Sequence, residues 1–386
     1  MKIGYVHSRA FPSTEANVVQ VVQMCRAFTL LGHEVKLFIP RAEMYLTDDL
    51  ARADIPELFG EHLPFEIVFV PRIKLFGRLE VLGSVKGTLQ ALRQHKLDLV
   101  YTRNPWSVRF LSRVGVPFIF EAHEEHLHKR SKFLGIYLKR MIARKSRQSS
   151  CVLVVTISDA LRKIWQGYGV PPEKLLAAHD GVELELFSSA LSKAAAREQL
   201  GVQRAPVVVY TGALKFDRGI DQMLYAAERL PELDFYFVGG TSQEVANWRG
   251  AVEHMRLTNA HFPGRVPHRH IPAWLAAADI LLMMWTWQVP TIRGCSPMKM
   301  FEYMAANRLI VGPAFPTIEE VLENGKDSIL FEPDNKDALI AALREAHSKL
   351  GDSTLPHAAQ EKVARDYTWQ ARCEKILASL KKASMQ

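Results

Sequence analysis

The sequence has few cysteines and no pairing pattern among them. Cys25, Cys151, Cys295 and Cys373 stand far apart, and none belongs to a C-x-x-C pair. That argues against a zinc knuckle and a disulfide framework; three of the four read as buried thiols, and Cys295 lies beside the motif at 296–302, where a catalytic thiol is the alternative. No apolar run reaches the roughly 18 residues that a membrane span needs. The longest candidate, residues 280–287, reads as a buried strand and the loop after it. No positively charged start leads into an apolar signal core: Met1-Lys2 runs straight into Ile3-Gly4-Tyr5-Val6, which reads as a first strand. A cytoplasmic chain is expected. No G-x-G-x-x-G follows that strand, so the fingerprint of hydride-transfer enzymes is missing. There is no internal repeat, no low-complexity tract and no recognised nucleic-acid motif, and no nucleic-acid partner is expected.

What is present is enough chain for two cores. At 386 residues the length exceeds what one hydrophobic core usually serves. The formal charge of +8 favours an anionic partner. Short apolar runs alternate with helically spaced segments. Residues 2–7, 34–39, 66–70, 97–101, 117–120 and 152–156 read as strands, with helices at 18–31, 81–92 and 134–147 among them. After an irregular stretch at 183–203 the rhythm restarts, with strands at 205–210, 235–238, 260–262, 280–284, 309–311 and 329–331. The pattern predicts an α/β protein of two doubly wound, Rossmann-like domains. Ligands of such sheets sit outside the carboxyl ends of the strands, so motifs at strand-to-helix turns carry the most information.

The most informative turn is Ser296-Pro297-Met298-Lys299-Met300-Phe301-Glu302. Ser296 suits an N-cap and Pro297 the first helical turn. A helix start of this kind attracts phosphate. Lys299 adds a cation there, and Glu302, three residues on, shares its face and suits paired ribose hydroxyls.

Five segments of the chain together resemble retaining glycosyltransferase family 4, with its GT-B architecture of two facing Rossmann-like domains. They are Thr156 to Leu161 with His179 to Phe187, Tyr210 to Ile220, His261 to Pro267 with Ile271 to Asp279, Gly294 to Met304, and Phe120-Glu121-Ala122-His123-Glu124-Glu125-His126. The resemblance implies an acceptor-side domain over 1–187, a donor-binding domain over 188–365, and a closing helix in 366–386 that crosses back to the first domain. It implies that Gly212 and Arg218 meet the donor diphosphate, with Arg218 in the family's Lys position and Ala213 where an Arg is common. Backbone groups of Gly264, Arg265 and Val266 would read the nucleobase. Ser296, Pro297, Lys299 and Glu302 would complete the donor site, although Gly294 stands where the family has the first Glu of E-x7-E. His123 would contact the donor sugar, with Glu121 behind it. Catalytic roles fall on His123, Arg218 and Lys299.

The loop before the first helix, Pro12 to Asn17, lacks the family's glycines. Ser13 and Asn17 are assigned to the acceptor side and are candidates to cap the helix. The reaction implied is metal-independent transfer from a UDP- or GDP-sugar to a glycan or lipid-linked hydroxyl, with no cofactor beyond the donor, in surface polysaccharide or glycoconjugate synthesis. A sugar-nucleotide epimerase or hydrolase, and a non-catalytic sugar-nucleotide binder, are the alternatives. The basic, amphipathic stretch 129–147 is expected to lie on an anionic membrane surface, at its inner face.

Overall fold

A computed structural model of the chain describes residues 1–13, 15–59, 63–70, 88–89, 92–125, 131–188, 191–202 and 206–384. The expected helix at 81–92 falls largely outside the described residues, as do His126, Lys129 and Arg130. The chain divides into two compact units, Met1–Asp180 with Trp369–Gln386, and Gly181–Thr368.

The first unit is built on strands β1 (Lys2–Val6), β2 (Glu34–Pro40), β3 (Glu66–Val70), β4 (Leu99–Thr102), β5 (Phe118–Ala122), β6 (Cys151–Thr156) and β7 (Leu175–Ala177). They form one parallel sheet in the order β3-β2-β1-β4-β5-β6-β7. The central strands are buried along their length, as parallel strands covered on both faces must be. Between β1 and β4 the order reverses, which marks the ligand-binding end of such a sheet. Helix α1 (Ala16–Leu30) buries Val18, Val21, Val22, Cys25 and Phe28, a stripe at helical spacing. Helix α2 (Lys132–Ser146) starts at Ser131, whose Oγ accepts from Leu134 N at 3.3 Å.

The second unit repeats the design. Strands β8 (Val207–Gly212), β9 (Asp234–Gly239), β10 (Ala260–Gly264), β11 (Ile280–Leu282), β12 (Leu309–Pro313) and β13 (Ile329–Phe331) are parallel in the order β10-β9-β8-β11-β12-β13. The reversal lies between β8 and β11. Helix α3 (Ile220–Arg229) follows β8, and α4 (Met298–Ala305) precedes β12. The last helix, α5 (Trp369–Ser384), belongs to the first unit and packs on α1. Residues 181–187, expected in the first domain, fall in the second because Val182 and Phe187 enter its core.

Candidate functional site

Each sheet carries a cluster of polar groups at its reversal point. In the second unit β8 ends at Gly212, with φ at +140°. A Cβ at Gly212 would lie 2.9 Å from Lys299 Nζ, so glycine is what leaves the ammonium its room. Thr211 N donates to Tyr303 Oη at 2.9 Å, and this bond fixes α4 against the end of β8. Lys299 Nζ therefore lies 4.2 Å from the centre of the Tyr210 ring and 4.7 Å from that of Trp285. Among the described residues Lys299 makes no ion pair; the pairs around it are Arg218 with Asp217, at 3.6 Å, and His268 with Glu302, at 2.9 Å. Burial, then the nearby Arg218, bring the Lys299 pKa down to about 7, against the pull of Glu302. Ring faces stabilise the cation without neutralising it. Lys299 and Arg218 are thus neighbouring cations, with Asp217 at the long end of ion-pair range from Arg218 and Glu302 acting on Lys299.

Arg218 closes the short turn Phe216–Arg218 that leads into α3. Thr286 Oγ1 donates to Asp217 O at 2.9 Å, which ties this turn to the loop after β11. Glu302 receives His268 Nε2 at 2.9 Å. That hydrogen bond raises the His268 pKa above its ordinary value, against burial. Gly264 ends β10 with φ at +92°; Arg265 is exposed and Val266 packs on the core.

Ser296 does not cap α4. The helix begins at Met298, and Pro297 holds the capping position with φ −78° and ψ 118° and no side-chain bond. The ring of proline fits either a cap or a first-turn φ, and here the extended ψ puts it outside the helix. Ser296 is buried just ahead of it. Cys295 is pushed up to about 11 by burial, which keeps it a protonated thiol.

In the first unit Glu121, at the end of β5, is buried under four donors. Arg372 Nη1 donates at 3.1 Å and Gln20 Nε2 at 2.9 Å, and Tyr101 Oη and His123 Nε2 complete the set. Burial favours the neutral acid, but Arg372 and His123 outweigh it and hold Glu121 well below the usual carboxylate range. Burial and Arg103 lower the His123 pKa against the opposing pull of Glu121. A neutral imidazole that donates Nε2–H to a carboxylate offers Nδ1 as its acceptor.

Arg372 comes from α5 and also donates to His179 O at 2.8 Å. A pocket of about 790 Å³ opens beside this network, lined by residues after β1, β4 and β5 that include His7, Arg9, Arg103, Trp106, Glu121 and His123. Ser13 and Asn17 line it too. Neither caps α1: Glu15 stands at that position without a side-chain bond. Ser13 Oγ takes the Glu15 N–H at 3.2 Å, one residue early, and Asn17 lies within the first turn.

The structure thus gathers Gly212, Arg218, Lys299 and Glu302 in one unit and Ser13, Asn17, Glu121 and His123 in the other. Sequence reading missed His268, Arg103, His7 and Arg372. His268 and Arg372 are recognisable only through partners distant in the chain. Arg103 and His7 follow strand ends directly, and that position was the available signal. Among the described residues there is no group of three or more His, Cys, Asp or Glu placed to hold a metal ion.

Residues 205–349 match the family described as glycosyl transferases group 1, and residues 18–186 match glycosyltransferase family 4. The chain belongs to the group 1 glycosyltransferases. A Bacillus subtilis (strain 168) protein whose name assigns it to teichuronic acid biosynthesis is 27% identical over 207 residues, 53% of this chain and 50% of that one. The chain therefore spans about half the length of that relative. D-inositol 3-phosphate glycosyltransferase 1 of Catenulispora acidiphila is 25% identical over 95% of this chain and 90% of its own. Among solved structures, Anabaena HepE in complex with UDP and glucose superposes with a TM-score of 0.74 at 18% identity, covering 99% of each chain. That likeness is one of fold.

Proposed function

We propose that the chain transfers a sugar from a nucleoside-diphosphate sugar to a hydroxyl of a glycan or lipid-linked acceptor, with retention and without a metal, in surface polysaccharide synthesis. The observation that carries this reading is Lys299, a cation held over two aromatic rings at the end of β8 with Arg218 beside it and no carboxylate of its own. Such a group is suited to the negative charge that develops on a departing diphosphate. Glu302 would take the ribose hydroxyls, and the backbone of Gly264, Arg265 and Val266 the base. Ser296 and Pro297 set the start of α4 against the phosphates. His123 Nδ1 would accept a sugar hydroxyl, oriented by Glu121, while the leaving phosphate takes the acceptor proton.

The structure of similar fold that was solved with UDP and glucose, and the relative named for teichuronic acid synthesis, favour a UDP-sugar and an anionic polymer as first candidates. Thermal shift with UDP-glucose, GDP-mannose and ADP-glucose, followed by product analysis with EDTA present, tests the reading. A stabilising donor and EDTA-resistant, anomer-retaining transfer are expected. Transfer that stays near wild type in Lys299→Ala would overturn the assignment.

The exposed face of α2 supports a membrane-surface role. Phe133 is 88% exposed, and Ile136, Tyr137, Arg140 and Arg144 share its side of the helix. Lys139, counted among the basic residues of this stretch, instead turns inward and donates to Tyr168 Oη at 2.6 Å. No described helix is long and apolar enough to cross a membrane. Apolar rings beside arginines suit the interface of an anionic bilayer. Flotation with vesicles of anionic lipid is expected at low salt and should be lost in Phe133→Ser/Arg140→Ser; equal flotation of both would remove this part.

A further inference from the structure

The pocket of the first unit contains an unanswered hydrogen-bonding group. His7, the first residue after β1, is only 7% exposed and lines the pocket, and its Nε2 has no partner. Asn17 Oδ1, on the same pocket wall, is also buried without a partner. Buried polar atoms in native proteins are nearly always satisfied, so an orphan facing a cavity marks a place for a ligand.

The charges around His7 say what kind. Burial lowers its pKa well below the ordinary value, and Arg103, His123 and Arg9 push in the same direction; among the groups acting on it Glu121 alone opposes. Glu121 is already committed to Arg372. Two more carboxylates line the pocket, Glu15 and Glu124, and the largest charge effects on His7 come from Arg103, His123 and Arg9. The His7 end is therefore the positive end. Arg103 is held in place by neutral acceptors, Asn17 O at 3.0 Å and Gln20 Oε1 at 2.6 Å. Among the described residues neither Arg103 nor Arg9 makes an ion pair. A guanidinium anchored through Nη1 keeps its remaining N–H groups for a planar or tetrahedral oxyanion.

We propose that this pocket recognises an acceptor that carries an anionic oxygen group, phosphate or carboxylate, seated on His7 Nε2 between Arg103 and Arg9, with Trp106 as the aromatic wall for the adjoining sugar. The proposal rests on the reading above that the first unit takes the acceptor, and it names the acceptor's chemical class.

The test separates the two ideas by measuring binding without turnover. Calorimetry on the full chain carrying Lys299→Ala, which removes the cation of the other unit, compares glucose 6-phosphate, glucuronate and glucose. The anionic sugars are expected to bind at least tenfold more tightly than glucose. Adding Arg103→Gln, or the exposed Arg9→Gln in case the first variant fails to fold, should reduce that preference at least tenfold. Preference for the phosphate or for the glucuronate assigns the anion. Equal binding of glucose, or an anion preference untouched by both arginine variants, overturns the proposal. So does a parallel loss of UDP affinity when either arginine change is made with Lys299 intact, because the pocket would then serve the donor. Anion binding in a chain that transfers no sugar would leave this site standing and defeat the transferase reading instead.

Discussion

The two units share a sheet design and handle buried cations in opposite ways. In the first, the Arg372 guanidinium is matched to Glu121, and its remaining bonds go to backbone and to Met24. Its charge is settled by Glu121 inside the protein, so it orders the network that orients His123, although its Nη2 is buried without a hydrogen-bond partner. In the second, Lys299 rests on Tyr210 and Trp285 with no carboxylate of its own and Arg218 nearby. Its charge is not matched by an ion pair among the described residues, and in the function proposed above the donor diphosphate matches it. A cation matched within the fold supports geometry, whereas one left unmatched supports affinity and catalysis.

Substitution at the two cations should separate these roles. Arg372→Met leaves a buried carboxylate uncompensated and is expected to cost about 3–5 kcal/mol of stability, read as a lower denaturation midpoint of the first unit. The loss should shrink as pH falls from 7 towards 5, because Glu121 can then accept a proton. Equal loss at both pH values would place the effect in packing. Lys299→Ala should leave the fold intact and lower kcat by roughly 10²–10³-fold, the scale of removing one charge-stabilising group.

The pH profile follows from the same contrast. The Lys299 pKa is near 7 in the folded chain against an ordinary 10.5. The folded state therefore releases this proton first, and stability should rise with pH between about 7 and 10. Lys299→Met should flatten that rise. Affinity for a nucleotide sugar, whose diphosphate diester keeps its charge throughout, should fall as pH rises through about 7. An affinity that is flat from pH 6 to 8.5 would contradict the unmatched-cation picture. The smallest effect belongs to Glu302→Gln, about 1.5–3 kcal/mol of lost preference for a ribose over a dideoxyribose nucleotide, the value of hydrogen bonds to a charged group. Competition between UDP and its dideoxy analogue reads it directly.

Much of this was legible in the chain. Alternating apolar runs place the strands, and the spacing of Lys299 and Glu302 within one helical turn puts both on one face. The short strand β7, Leu175–Ala177, was missed because three residues are too few for a period to register. The cap of α4 was misplaced by one residue, since proline's φ suits both positions and only ψ separates them. The partners of the key residues were not legible at all. Arg372 and Glu121 stand 251 positions apart, and local pattern says nothing about such pairs. His268 reads as part of a turn until the fold brings it to Glu302.

The discontinuity of the first unit has a consequence for synthesis. Glu121 and its pocket emerge from the ribosome early, but Arg372 follows only after the whole of Gly181–Thr368 has been made. At about 5–20 residues per second that delay is on the order of 10–40 s. Throughout it the nascent first unit must hold a carboxylate whose counter-charge does not yet exist. Completion of the first unit therefore waits on α5, the last of its elements to be made.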